Sequence, residues 1–142
     1  MVTGSWWEET VYAEPPLAGL GRCDASEVFD WLAGRFPVSE TKIDWGRVDG
    51  RHVHRRIVDD TRIVEVVYRE VLRRLRAGGV VEHVGDGLSP YGIRFDGDNA
   101  ASVVGALLEI PEHHYFLAGD RSWIAVVTTE GDLDIVDQLG SV

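Results

Sequence analysis

Apolar and polar positions follow a two-residue rhythm most clearly between His114 and Val136. His114–Ala118, Trp123–Thr129 and Leu133–Val136 are rich in Val, Ile, Thr and aromatic residues. Gly119-Asp120 and Glu130-Gly131-Asp132 separate them as turns, so the stretch predicts three consecutive strands in a meander. Upstream the rhythm becomes helical. Val28, Phe29, Trp31, Leu32 and Phe36 give one apolar face over about Ala25–Arg35, with Asp24 or Ser26 as cap and Pro37 as stop. Val64, Val67, Tyr68, Val71, Leu72 and Leu75 predict a second helix to about Arg76, ended by Gly78-Gly79. A third runs from about Ala100 to Glu109 and hands over at Pro111. Val80–Val84 and Tyr91–Phe95 are short strands, and Thr10–Ala13 is a candidate edge strand closed by Pro15-Pro16. Leu17–Arg22 is expected to be a loop, and His52–Val58 a loop or short strand. This order predicts an α+β domain over 1–142: an antiparallel sheet of about four to six strands with two or three helices on one face.

Length and composition add bounds. A chain of 142 residues with 44% hydrophobic and 27% charged residues suits one domain that needs no disulfide or metal for stability. Cys23 is the single cysteine, as expected in a reducing compartment, and no basic-then-apolar leader opens the chain. No apolar run approaches the roughly 18 residues of a membrane helix. A cytoplasmic protein without membrane contact is expected.

Charge changes the picture more. The net charge is −10, which argues against nucleic acid as a partner and favours a basic protein. The distribution is uneven. Residues 47–76 carry nine arginines against five carboxylates, whereas residues 82–142 carry eleven carboxylates against Arg94 and Arg121. Glu130, Asp132, Asp134 and Asp137 cluster at the last hairpin, and Glu112 and Asp120 stand at strand ends. This acidic rim is the candidate partner-binding surface. Trp6, Trp7 and Trp45 lie outside the strong periodic elements and are candidate aromatic anchors.

Catalytic motifs are weak. His52-x-His54 and His113-His114 are pairs without a metal-binding spacing. Asp96-Gly97-Asp98-Asn99 opens like a calcium loop but has Ala100 and Leu107 where ligands belong. Gly19-x-Gly21 lacks the third glycine of a nucleotide fingerprint, so no cofactor is expected. Cys23 precedes a helix start, a position that favours the thiolate, but no nucleophile signature accompanies it.

Pro111–Phe116, followed by the Trp123-led strand and the Glu130-Gly131-Asp132 turn, resembles a pattern in small bacterial immunity proteins of polymorphic toxin systems. The resemblance covers the last 30 or so residues. It implies a small non-enzymatic α+β protein that binds and blocks a cognate toxin. With the acidic rim, the expected mechanism is occlusion of a basic active site or substrate groove, by a monomer or homodimer. The alternative is a small enzyme or ligand-binding domain with a pocket between helix and sheet, using His113 or His114.

Overall fold

The protein is described here from a computed structural model, which covers residues 6–36, 38–39, 42–43, 51–75 and 79–137. These described residues hold nine strands and three α-helices, the strands being in chain order β1 (Gly21–Cys23), β2 (Val38–Ser39), β3 (Lys42–Ile43), β4 (Arg51–Arg56), β5 (Val81–Gly85), β6 (Gly92–Phe95), β7 (His114–Ala118), β8 (Ile124–Val127) and β9 (Asp132–Asp137). The α-helices are α1 (Ala25–Arg35), α2 (Ile63–Arg74) and α3 (Ala100–Leu107). β2 and β3 form a separate two-stranded ribbon. The other seven strands make one antiparallel sheet in the order β1-β6-β5-β7-β8-β9-β4. The α+β class and antiparallel sheet are as expected, but the sheet has seven strands.

The helices divide between both faces, rather than sharing one. Strand alternation sends Val81, Phe95, Phe116, Ala125, Val127, Leu133 and Ile135 into one core with Val67 and Val71 of α2 and Val103, Val104 and Leu107 of α3. The opposite residues, Val84, Leu117, Ile124, Val126 and Val136, pack on Val28 and Leu32 of α1. The central strands are therefore buried on both sides, which is why they are nearly continuous apolar runs. Burial of Val28 and Leu32 contributes about 2 kcal/mol each.

Caps set the helix starts. The Asp24 carboxylate accepts the Ser26 and Glu27 N–H groups at α1. Asp59 and Asp96 cap short 3-10 turns that lead into α2 and α3. At the β8–β9 turn, Gly131 adopts φ 91°, and a side chain there would also press on the Ile57 carbonyl.

Two local expectations change, and a third, the loop or short strand at His52, is decided. Thr10–Ala13 is not a strand: Glu8–Tyr12 forms a π-type helical turn, with the Thr10 hydroxyl donating to the Trp6 carbonyl. Gly21 and Arg22, expected in a loop, join Cys23 in edge strand β1 against β6. The His52 region is strand β4, paired with β9 over six residues, Arg51 opposite Asp137 through Arg56 opposite Asp132. Its weak alternation arises because its side chains meet charged partners on both faces.

Among the described residues no helix is long and apolar enough to cross a membrane.

Candidate functional site

The expected acidic rim is taken up largely by internal contacts. β4 and β9 lie side by side, so the basic middle of the sequence is zipped onto its acidic end. On the α1 face of the sheet, His52 Nε2 meets Asp134 at 2.8 Å, and His54 Nε2 meets Asp132 at 3.0 Å. Arg56 adds a second contact to Asp132, at 3.2 Å. The His54 hydrogen bond, helped by Arg56, holds the Asp132 carboxyl below its ordinary range. Asp134 is 6% exposed. On the other face Arg74 reaches from α2 and grips Asp137 through Nε and a terminal nitrogen, at 2.6 and 2.9 Å. Of the four hairpin carboxylates only Glu130 is fully exposed at the turn, hydrogen-bonded by the Thr129 hydroxyl. Three of the rim carboxylates carry partners within the chain, two of them because β4 lies beside β9, a pairing across about eighty residues. Trp45 lies outside the described residues.

Glu112 is also turned inward. It is buried, and Oε1 accepts the N–H groups of Gly87, Leu88 and Ser89 at 2.9, 2.5 and 3.2 Å. The Ser89 hydroxyl donates to Oε2. Successive backbone amides converging on one carboxylate make an anion nest, here filled by the protein's own side chain. Gly85 is required beneath it, because a Cβ there would overlap the Glu112 carboxylate. Asp120 is exposed and accepts the Ser122 N–H at its turn.

Two further carboxylates escaped sequence reasoning. Glu70 on α2 is buried and receives Arg55, Arg73 and Arg74, each at 2.7 Å. Burial is the largest influence and would raise its carboxyl. The three arginines together outweigh it and hold the group below its ordinary range. Glu82 on β5 repeats the device. Burial pushes it up, and Arg94 and Arg121, at 2.7 and 2.8 Å, bring it down. The only two arginines of the acidic segment thus converge on one carboxylate. An acid inside an apolar strand run, and one mid-helix near several arginines, were the available signals.

The adjacent histidines separate. His113 faces Asp86 at 3.4 Å near the surface. His114 is buried and its Nδ1 lies 2.8 Å from His83 Nε2. His114 Nε2 lies 2.8 Å from the Ile110 carbonyl, which can only accept. Nε2 therefore carries the His114 proton, and His83 Nε2–H donates to His114 Nδ1. His83 Nδ1 is left without a partner among the described residues. Burial lowers the proton affinity of both rings, and in His83 the neighbouring His114 adds to it. His113 and His114 do not share a pocket. A cleft of about 200 Å³ beside His114 is lined by Glu112, Thr128 and Thr129, but the Glu112 carboxylate is held in its nest.

Cys23 lacks the lowered thiol that a place before a helix start favours. Burial, then Glu82, pushes its thiol up to about 11. No group of three or more His, Cys, Asp or Glu among the described residues is placed to hold a metal ion.

Exposed carboxylates also stand away from the rim. Glu8, Glu9 and Glu14 on the N-terminal segment and Glu27 and Asp30 on α1 are all solvent-facing. Beside the first of them Trp6 is 55% exposed, its ring edge-on to Trp7 with centroids 4.5 Å apart. No family model, curated protein or solved structure matches this chain.

Proposed function

We propose that this chain is a non-catalytic, cytoplasmic binding protein with a basic protein partner. The observation that carries this is the exposed Trp6 on a turn that also presents Glu8 and Glu9. A half-exposed tryptophan held by an aromatic neighbour is a ready anchor, and exposed carboxylates around it steer a basic partner. The resemblance of the closing meander to immunity proteins makes a cognate bacterial toxin the candidate partner, neutralised by occlusion of its basic active site or groove. The contact surface in this reading moves from the last hairpin to the N-terminal turn, because Asp132, Asp134 and Asp137 already hold His and Arg partners.

The test is binding to the purified toxin-like product of an adjacent gene. Trp6→Ala combined with Glu8→Lys and Glu9→Lys is expected to weaken capture at least about tenfold, through both slower association and faster release. Unchanged binding in that variant, with full loss in one altered elsewhere, would place the interface on another face. Absence of any such neighbouring gene product that binds would remove the toxin-neutralising reading.

A further inference from the structure

The same chain carries a surface of the opposite sign, on the far side of the edge where α2 passes over β4. Arg62, Arg69 and Arg73 stand at positions i, i+7 and i+11 of the 3-10 turn and α2, so they form one stripe about 16 Å long. With Arg55 of β4 they line a cleft of about 310 Å³, and Arg51, Arg55 and Arg73 line an adjoining one of about 520 Å³ where β4, β9 and α2 meet; Arg55, Glu70 and Arg73 are common to both, and the two together form the groove. The carboxylates within it are Glu65, Glu70 and Asp137. Asp137 is held by Arg74, so the remaining five guanidiniums face two carboxylates.

These guanidiniums differ in how firmly they are held. Arg74 is nearly enclosed and serves Glu70 and Asp137 together. Arg55 and Arg73 each give Glu70 a single nitrogen contact, so most of their N–H donors remain directed outward. Glu70 thereby fixes their orientation without using them up. Arg62 and Arg69 share Glu65 at 3.0 and 3.7 Å and are largely solvent-facing, with side chains 62% and 74% exposed. Exposed pairs of this kind contribute about 0–1 kcal/mol, so an incoming carboxylate displaces Glu65 at little cost.

The floor distinguishes among anions. Val53 of β4 is 41% exposed within the groove, next to buried Ile135. An apolar spot between arginines suits an extended polypeptide with carboxylates and an apolar side chain. A nucleic-acid duplex has no group for Val53 and would run past the stripe onto a surface belonging to a protein of net charge −10. A short acidic segment stays within roughly one Debye length, about 8 Å, of the arginines and is screened from the distant carboxylates.

We infer that the groove between α2 and β4 is a docking site for an acidic, extended segment of a partner protein, bound by Arg62, Arg69 and Arg73 on one side and Arg51 and Arg55 on the other. It is independent of the N-terminal acidic face and has its own test. The probe is a dye-labelled, glutamate-rich peptide of about eight residues with a central leucine, long enough to span the stripe. Anisotropy is read at low and physiological salt against a glutamine-substituted counterpart. The expected result is saturable binding of the acidic peptide alone, weakened by salt and reduced about tenfold by Arg62→Ala with Arg69→Ala. Those two side chains make only exposed contacts, so the variant keeps the fold; Arg22→Ala, outside the groove, is expected to bind as the parent does. Val53→Asp is expected to reduce binding further. Equal affinity of parent and double variant overturns the inference. Tighter, Arg62- and Arg69-dependent binding of a DNA duplex overturns the choice of polypeptide. A concentration-dependent dimer in sedimentation that the double variant abolishes overturns it in favour of a second copy of this chain.

Discussion

Glu70 and Glu112 are both buried carboxylates, and they are stabilised in opposite ways. Glu70 sits among three arginines that arrive from α2 and β4. Glu112 pairs with no cation among the described residues; three consecutive backbone amides and a hydroxyl surround it. The first arrangement depends on long side chains that reach solvent. The second depends on the backbone of the loop between β5 and β6 and cannot relax without moving that loop. A buried charge held by side chains is replaceable and open to partners, whereas one held by the backbone is part of the frame.

The largest predicted effect is at the nest. Glu112→Ala leaves several amides without an acceptor and is expected to cost about 3 kcal/mol in urea unfolding, with Glu112→Gln costing about half as much because one oxygen remains. Gly85→Ala is expected to match Glu112→Ala, since the added Cβ displaces the same carboxylate. Glu70→Ala comes next, at about 2 kcal/mol, because Arg74 keeps Asp137 and the other arginines reach water. A cycle with Arg74→Ala should give a coupling of about 1 kcal/mol. If Glu70→Ala proves costlier than Glu112→Ala, the contrast between the two sites is reversed.

Acid should sharpen the contrast in two windows. His83 and His114 are neutral in the fold with proton affinities lowered by burial, so the unfolded chain binds protons first. Their contribution is present above about pH 6.5 and is lost as pH falls below it. Glu70 and Glu82 also have folded values below their ordinary ones. Their contribution is present above about pH 4.5 and is lost as pH falls further. Denaturation midpoints across that range should fall in two stages, and His83→Phe or His114→Phe should remove part of the upper one. The smallest effect is that of salt: added salt is expected to lower the Glu70→Ala penalty by about 0.5 kcal/mol and to leave the Glu112→Ala penalty unchanged.

The legible parts of the fold are those whose signal is local. β7, β8 and β9 were visible because Gly131 and Gly119-Asp120 separate β-branched runs, and α1 through its cap and apolar stripe. β1 was not, because Gly21-Arg22-Cys23 is three residues long and its character comes only from β6. The second face leaves no local signal, since burial on both sides of β8 erases alternation. For the candidate surfaces the reason is distance along the chain. Asp134 follows the rhythm of an exposed strand residue, and nothing near it announces that His52, 82 residues earlier, will cover it. Glu112 looked like a free rim acid because its partners are backbone amides, which carry no sequence signature. The charge asymmetry itself was real; its meaning as a seam between β4 and β9 needed the pairing.

The strand order carries a consequence for how the protein is made. The five inner strands all come from residues 81–137, while both sheet edges, β1 and β4, come from the first 56 residues. During synthesis the earlier half leaves the ribosome with no sheet to join, and β4 waits for β9, about eighty residues later. Folding should therefore begin late and close inward to outward, with the arginine-bearing edge docking as the final step. Until then Arg51, Arg55 and Arg56 remain exposed on a nascent chain, where their charges keep that edge strand from pairing with neighbours.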